Sequence, residues 1–156
     1  MALDATRTIN GTYGEVWCEG VWLTNVKQAE AVAEIDKEEI PRSGTRWKGH
    51  KSMGLTGTGN ITGYKITSEF IRRIGSIAND RSKPFVTELI YKLNDPESFG
   101  AERIRLKGVQ FDRIPLSSFE VNTIVEEELP FTFSGYDLLD EIKSSTNWDN
   151  FNRNAQ

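Results

Sequence analysis

Cysteine and histidine are almost missing from this chain of 156 residues, which has one of each, Cys18 and His50. A disulfide within the chain is therefore impossible, and a metal site built from several thiolates is excluded. No apolar run approaches the roughly 18 residues that a membrane-spanning helix needs. The first residues also lack the apolar segment of a secretory signal, so we expect a cytoplasmic place of synthesis and no membrane contact.

Combinations of residues that support catalysis are also scarce. Cys18 and His50 are the one possible thiol and imidazole pair, but Cys18 falls on the apolar face of a predicted hairpin, where an inert thiol is expected. The glycines between 54 and 63 have the wrong spacing for a nucleotide-binding loop and precede a predicted strand. The carboxylates at 126–128 point alternately to opposite faces of a strand. We therefore expect no enzyme activity, no cofactor and no metal.

The chain has enough apolar residues for one folded domain, and its charges are unevenly placed along the sequence. The hydrophobic content is 37%, with four tryptophans and a net charge of −4, which argues weakly against a dedicated nucleic-acid binder. Residues 42–51 carry five basic or imidazole side chains and no acid, whereas residues 120–141 carry acids and no base. This separation of charge suggests contact between copies of the chain.

Alternating side chains predict a mainly β protein. Residues 16–23 are typical of a hairpin that turns at Glu19 and Gly20, with Trp17 directly opposite Trp22. Further strands are expected at 24–35, 61–67, 85–93 and 102–113, and the last of these changes phase at a bulge near Lys107 and Gly108. Helical spacing of apolar residues predicts one amphipathic helix at about 68–80.

The clearest alternation runs from Phe119 to Phe133, where odd positions are apolar and even positions are mostly acidic or polar. This pattern predicts a strand with one buried and one acidic face, and Pro130 suggests that part of it lies at an edge. The sequence thus predicts a sandwich or barrel of about six or seven antiparallel strands with a flanking helix. We expect one domain over residues 1–135 and a C-terminal tail, 136–156, that becomes ordered on assembly, with Trp148 and Phe151 docking on a neighbour.

The segment from 36 to 60 is polar, charged and rich in glycine, and it predicts a long loop or an extended hairpin arm. Its charge is first acidic and then basic, which suits head-to-tail contact between identical copies, although a phosphate-binding loop and a simple solvated loop remain alternatives. The candidate contact residues are Asp36, Glu38, Glu39, Arg42, Arg46, Trp47, Lys48, His50 and Lys51.

Three stretches of the chain resemble the tail tube proteins of PBSX-like prophages and related contractile phage tails. These stretches are Lys48-Gly49-His50-Lys51 through Gly57-Thr58-Gly59 to Tyr64-Lys65-Ile66-Thr67-Ser68-Glu69-Phe70, Glu102-Arg103-Ile104 to Phe111-Asp112, and Glu126-Glu127-Glu128-Leu129-Pro130-Phe131-Thr132-Phe133. They follow the order of that family from about residue 10 to residue 135, and the combination is more specific than any one stretch.

The resemblance implies hexameric rings that stack into a tube, in which the arm at 36–59 joins adjacent rings. It implies a virion tail, or a tail-like particle, as the final location, with synthesis in the bacterial host. The implied partners are further copies of the chain, the sheath, the baseplate, the tail terminator, and the tape measure protein and DNA in the lumen. Glu120 and Glu126 are candidates to face that lumen.

A second hypothesis from the residues alone is a small monomeric β-barrel that binds sugar, peptide or nucleic acid. It would use Trp17, Trp22 and Trp47 as stacking platforms. This hypothesis predicts a stable monomer and a ligand that quenches tryptophan fluorescence, whereas the tube hypothesis predicts self-assembly.

Overall fold

A computed structural model of the chain describes residues 5–142, and the predicted docking residues Trp148 and Phe151 lie outside the described residues. Eight strands form an antiparallel sheet. The strands are β1 Gly14–Cys18, β2 Val21–Trp22, β3 Val26–Ile40, β4 Gly49–Tyr64, β5 Val86–Leu93, β6 Glu102–Phe111, β7 Glu126–Phe133 and β8 Gly135–Asp140. One α-helix, α1, spans Glu69–Ile74, and short 3-10 helices cover Ala5–Arg7, Gly11–Tyr13 and Gly75–Ala78. The prediction of a mainly β fold is confirmed.

The chain divides into two compact units, and the first comprises the described residues up to 24, residues 88–107 and residues from 136 onward. Its strands follow the order β2, β1, β5, β6, and β8 also pairs with β6. The buried apolar side chains of this unit are Val16, Cys18, Leu89 and Leu106, and Asp95 is buried as well. Because Val16 and Cys18 alternate with half-buried neighbours, β1 buries one face only.

The hairpin predicted near the N-terminus is confirmed. Trp17 lies opposite Trp22 and Cys18 opposite Val21, as the position of the turn required. Glu19 and Gly20 both have positive φ, 51° and 81°, which is typical of a tight two-residue turn between twisted strands. Val21 shares a face with Cys18 but is exposed, so only the β1 side of this hairpin reaches the core.

The second unit comprises residues 25–87 and 108–135 and contains the longest strands of the protein. Within it, the end of β6 pairs with β7, β7 with β4, and β4 with β3. Aromatic rings fill its centre, where Phe111 packs against Phe70 of α1, against Phe85 and against Phe131, with centroid distances of 5.9, 6.2 and 6.0 Å. Phe131 is the largest fully buried side chain.

Two glycines of β4 let the aromatic rings of β7 approach the neighbouring strand closely. A Cβ atom placed on Gly59 would lie 2.3 Å from Cζ of Phe131, and one on Gly57 would lie 2.5 Å from the ring of Phe133. No side chain larger than hydrogen fits at either position without movement of the ring above it. The glycines that resembled a loop in the sequence are therefore strand residues selected by packing.

The long strand predicted from Phe119 to Phe133 is wrong over its first half, because β7 begins only at Glu126. Glu126 pairs with Tyr64, the last residue of β4, so β4 offers no backbone partner to earlier residues. Phe119 and Val121 are each 81% exposed, although their alternation is typical of a half-buried strand. An alternating pattern does not form a strand where no neighbouring strand is available to pair with it.

Pro130 pairs with Asn60 of β4, whereas the pairing of β7 with β6 covers only Phe131 and Thr132. At the proline β7 is therefore an edge on its β6 side, as predicted. Its carbonyl accepts a hydrogen bond from the Asp112 backbone N–H at 2.9 Å, so its ring nitrogen also faces β6. The strand β6 ends at Phe111, which pairs with Phe131. The missing donor of the proline therefore falls where the β6 ladder has already ended.

Two other boundaries differ from the prediction, and the predicted change of phase in β6 is confirmed. The helix is shorter than 68–80, because α1 ends at Ile74 and a 3-10 turn follows from Gly75, and glycine in a helix interior costs about 1 kcal/mol relative to alanine. A strand occupies 135–140, the first part of the predicted tail, whereas residues 143–156 are outside the described part. The expected phase change in β6 falls at Gly108, whose φ is 65°, with Leu106 and Val109 both buried.

Candidate assembly surface

The strands β3 and β4 form a hairpin arm that is longer than the strand beside it. They pair from Val26 opposite Gly63 to Ile40 opposite Gly49. The strand β7 pairs with β4 only as far as Gly57, so the part of the hairpin from 34 to 56 has no other strand beside it among the described residues. We call residues 34–56 the distal arm. The sequence left open a long loop or a hairpin, and the structure contains the hairpin.

The candidate contact residues are distributed over both strands and the connection of the distal arm. Asp36, Glu38 and Glu39 lie on β3, His50 and Lys51 on β4, and Arg42, Arg46, Trp47 and Lys48 in the connection. Glu38 pairs with Lys51, Glu39 pairs with His50, and Lys48 Nζ lies 3.5 Å from Glu39 Oε1. The acidic and basic parts of the arm therefore oppose each other within one hairpin, so their charges are partly balanced along its length.

The tip of the arm, residues 41–48, has the bases Arg42, Arg46 and Lys48 and no acid. Arg42 Nε donates a hydrogen bond to the Trp47 carbonyl at 3.3 Å, and the Thr45 hydroxyl accepts one from the Trp47 N–H at 3.2 Å. The Trp47 residue is 78% exposed. The tip is thus a hydrogen-bonded turn that presents an aromatic ring among positive charges.

Large apolar side chains of the distal arm are exposed on both strands, which the sequence analysis did not anticipate. Ile35 and Leu55 lie opposite each other and are exposed. Ile40 and Met53 are exposed as well, at other levels of the hairpin. Met53 is the extra residue of a bulge, because Asp36 pairs with Gly54 and Lys37 with Ser52. The signal in the sequence was the presence of isolated apolar residues in an otherwise polar segment. Exposed apolar side chains on a projecting hairpin are typical of a surface that another protein covers.

Away from the distal arm, the sheet of the second unit has one covered and one polar face. The covered face carries Gly57, Gly59 and Ile61 on β4 and Leu129, Phe131 and Phe133 on β7, and on β3 it carries Ala29, Ala31 and Ala33, of which Ala29 and Ala33 are exposed. The opposite face is mainly polar, with Gln28 and Glu30 on β3, Thr58, Asn60 and Thr62 on β4, and Glu128 and Thr132 on β7, together with Val32 and Pro130. Aligned partners on adjacent strands share a face, so this assignment follows from the register.

The two candidates for the lumen lie in different kinds of structure. Glu126 begins β7 and accepts a hydrogen bond at 2.5 Å from Nζ of Lys27, a bond that raises the pKa of that lysine. Glu120 lies in the connection before β7, where its carbonyl accepts a hydrogen bond from the Thr123 N–H at 3.2 Å. The sheet therefore positions Glu126 and does not position Glu120.

Two of the tryptophans proposed as stacking platforms for a ligand stack on each other instead. Trp17 and Trp22 stack on each other, with centroids 6.2 Å apart and planes at 17°. The Trp17 indole N–H donates to Oε2 of Glu15 at 3.1 Å. Each ring thus uses one face on its neighbour, as cross-strand pairs do when they stabilise a hairpin. Trp47 belongs to the tip of the arm in the other unit.

Neither a metal cluster nor a membrane-spanning helix is present in the part of the chain that the structure describes. Residues 5–142 contain no group of three or more histidine, cysteine or acidic side chains close enough to hold a metal ion. No helix within this range is long and apolar enough to cross a bilayer. The Cys18 thiol is buried in the first unit.

Solved structures with the same fold come from contractile injection systems. A chain in the structure of the anti-feeding prophage cap, a tube-terminating cap, has a TM-score of 0.71 at 11% identity, over 90% of this chain and 95% of that chain. A chain in the extended sheath-tube complex of the PVC extracellular contractile injection system has a TM-score of 0.68 at 11% identity, over 84% and 90%. The fold is therefore that of proteins found in contractile tail-like particles.

Sequence comparison gives the family. The family model described as "Phage tail tube protein" matches residues 1–140. The chain is also 37% identical over 147 residues to the "Phage-like element PBSX protein XkdM" of Bacillus subtilis (strain 168), over 93% of this chain and 99% of that protein. The chain belongs to the phage tail tube protein family, and it is a structural component of a phage tail or tail-like particle. The predicted resemblance is confirmed.

Proposed function

We propose that six copies of this chain form a ring, that rings stack into a tube, and that the tube carries DNA or effector protein. The distal arm is the observation that carries this proposal. It is a formed hairpin with exposed apolar side chains on both strands, and it extends past the last residue that pairs with β7. A hairpin of this kind contributes little to the core of its own chain, so its side chains are available for a neighbouring copy.

We assign the polar face of β3, β4 and β7 to the lumen. It carries threonine, asparagine and glutamate side chains, and its opposite face is occupied by the aromatic core of the second unit. A lumen with acidic side chains repels a polyanion and reduces its adhesion to the wall. In this arrangement Glu126, at the start of β7, lies beside the polar face, whereas Glu120 is outside the sheet.

The remaining parts of the proposal follow from the role of a tube. The outer surface of the rings would contact a sheath, the ends of the tube would contact a baseplate and a terminator, and the lumen would hold a tape measure protein before DNA passes. The chain would act without catalysis or a cofactor, and it would be synthesised in the cytoplasm of a bacterial host before assembly.

Charge reversal at the tip of the arm tests the proposal. In the variant with Arg46→Glu and Lys48→Glu, we expect correctly folded subunits that no longer stack, because two exposed bases become acids. A matched control with Arg81→Glu and Lys83→Glu makes the same change in net charge outside the arm and should still assemble. Negative-stain microscopy and light scattering measure assembly, and circular dichroism measures folding.

The outcomes separate the tube from the binding module. Regular hollow rods from the parent chain and the control, but not from the tip variant, support the tube and the role of the arm. Full-length rods from the tip variant contradict the role of the arm. A parent chain that stays monomeric at high concentration and binds a sugar, peptide or nucleic acid with quenching of tryptophan fluorescence favours the binding module instead.

A further inference from the structure

A pocket lies at the start of β7, away from the distal arm. Its volume is about 390 Å³, and it lies within the second unit. Apolar walls are provided by Ile114, Pro115, Leu116 and Val125. Three carboxylates, those of residues 126–128, and two bases, Lys65 and Arg113, also line it. The pocket therefore combines an apolar lining with an excess of one acid, which suits a ligand group that is both apolar and cationic.

The Glu127 carboxylate in this pocket is incompletely hydrogen-bonded. Glu127 is only 8% exposed, and its Oε1 atom accepts no hydrogen bond within the described part of the chain. The nearest base is Lys65, whose Nζ lies 3.6 Å from that oxygen, beyond a normal hydrogen-bond distance. A buried carboxylate oxygen without a donor is costly, so the pocket favours a ligand that supplies an additional N–H group.

The connection beside the pocket increases the apolar and acidic character of this surface. Leu116, Phe119, Val121 and Ile124 are all largely exposed. Residues 113–128 carry four acids and one base, Arg113, which lies 4.0 Å from the Glu128 carboxylate. A partner that covers this region must therefore bring apolar side chains together with positive charge.

The tip of the arm has this composition. Arg46 makes no hydrogen bond or ion pair among the described residues, Trp47 is largely exposed beside it, and Lys48 follows. The pocket includes Thr62, and β4 runs from there to Gly49 at the base of the tip. Thirteen residues of strand span roughly 40 Å, so the tip cannot enter the pocket of its own chain. A contact between tip and pocket requires a second copy.

We infer that the arm tip of one copy docks in this pocket of the next copy in the stack. Trp47 packs against the apolar wall, and the Arg46 guanidinium donates to Oε1 of Glu127. This inference rests on the proposed stacking of rings and adds the receiving site. Because the donor and acceptor surfaces differ, the contact is heterologous and repeats without closing, as an elongated tube requires.

Disulfide crosslinking tests the contact directly, because Cys18 is the single cysteine and is buried. Chains with Thr45→Cys and chains with Ser117→Cys are mixed, assembled and oxidised. Thr45 is at the tip and Ser117 lines the pocket, and both are exposed. We expect a crosslinked dimer that contains one chain of each kind. The control replaces Ser117→Cys by Ser82→Cys, at an exposed position outside the pocket.

Each outcome decides the inference. A dimer that forms with Ser117→Cys at least about tenfold faster than with Ser82→Cys supports the contact. Equal rates, or tubes without the dimer, overturn the receiving site while the proposed tube stands. The inferred contact is also overturned if a different protein protects the Ser117→Cys thiol in assembled tails and no dimer forms. A chain that never self-associates overturns both the contact and the proposed function.

A double-mutant cycle gives a second measurement. Arg46→Gln and Glu127→Gln each remove one charge and should raise the concentration needed for assembly by about tenfold, as expected for loss of a charged hydrogen bond. If the two residues bind each other, the double variant should be no worse than the more severe single variant. Additive effects in variants whose thermal unfolding is unchanged would exclude this pairing.

Discussion

The ring of Phe131 lies directly over Gly59 of the adjacent strand, so close that an added methyl group would overlap Cζ. The same methyl group would also approach the Glu30 carbonyl oxygen, which belongs to the backbone and cannot rotate away. Gly59→Ala should therefore destabilise the protein by about 1–3 kcal/mol, as overpacked cores do. Gly54→Ala is the matched control on the same strand, where the new atom would lie 3.8 Å from a flexible carboxylate.

Chemical denaturation measures this difference. Gly59→Ala should lower the midpoint of denaturation, whereas Gly54→Ala should leave the midpoint nearly unchanged. Equal midpoints for Gly59→Ala and the parent chain would mean that the ring of Phe131 can shift at little cost, and that the packing between β4 and β7 is looser than described.

The sequence was sufficient to predict those strands of the fold that have one buried face. The hairpin at Trp17 and Trp22 followed from its turn residues, and β5 followed from its alternation. The arm was harder, because both faces of its strands are exposed and no apolar period marks them. Its charged candidates lie on a hairpin, which was one of the two predicted forms. The pairing of acids with bases in that hairpin depends on register, which single residues do not reveal.

The failure at Phe119 to Val125 has the opposite cause. These residues alternate as a strand should, yet they lie beyond Tyr64, where β4 stops. The availability of a pairing edge is a property of the whole chain and is invisible in a local pattern. The pocket beside Glu127 was missed for the same reason, because it is made by segments that are distant in the sequence.

Low pH should reduce the stability of the first unit because the carboxylate of Glu88 becomes protonated. Its carboxylate accepts two hydrogen bonds from the Arg105 guanidinium, at 3.0 and 2.6 Å, and this pairing lowers the pKa of Glu88. A lowered pKa in the folded state means that the stabilisation is complete above the pKa of the unfolded chain. It is lost as the pH falls through the lower folded value.

Glu88→Gln should therefore flatten the acid side of the stability profile, measured as the melting temperature between neutral and acidic pH. Because the pair is exposed, the effect should be small and should diminish at high salt. Glu97→Gln, in an exposed loop, is the control. If Glu88→Gln and the parent chain have the same melting temperature at every pH, the ion pair does not contribute measurably to stability.

Positive charge on the polar face should make the tube bind DNA. Thr58 is exposed in the middle of β4 with Thr132 beside it, so Thr58→Arg adds a base to the proposed lumen of every subunit. We expect assembled tubes of this variant to retain DNA more strongly, with an affinity that falls steeply as salt rises. Ser82→Arg adds the same charge outside this sheet. Equal retention by both variants would argue against the assignment of the polar face.

The length of the arm should set the distance between successive rings. Glu34 pairs with Thr56 and Ile35 with Leu55, so deletion of all four residues removes two from each strand and preserves the side-chain alternation. The axial repeat of the tube, measured by electron microscopy, should then decrease by about 7 Å. Threonine substitutions at the other three positions, with Thr56 unchanged, keep the length and should keep the repeat. An unchanged repeat in the deletion variant would contradict an arm that spans rings.

The hydrogen-bonded state of the arm also affects how fast copies can join. Ordering one backbone residue costs about 1–2 kcal/mol of conformational entropy, and a tip that folded only on contact would incur that cost at each addition. In this chain the ladder extends to Ile40 and Gly49, and the tip is held by its own hydrogen bonds. Most of the ordering is therefore complete when the subunit folds, and subunit addition can proceed as the docking of rigid bodies.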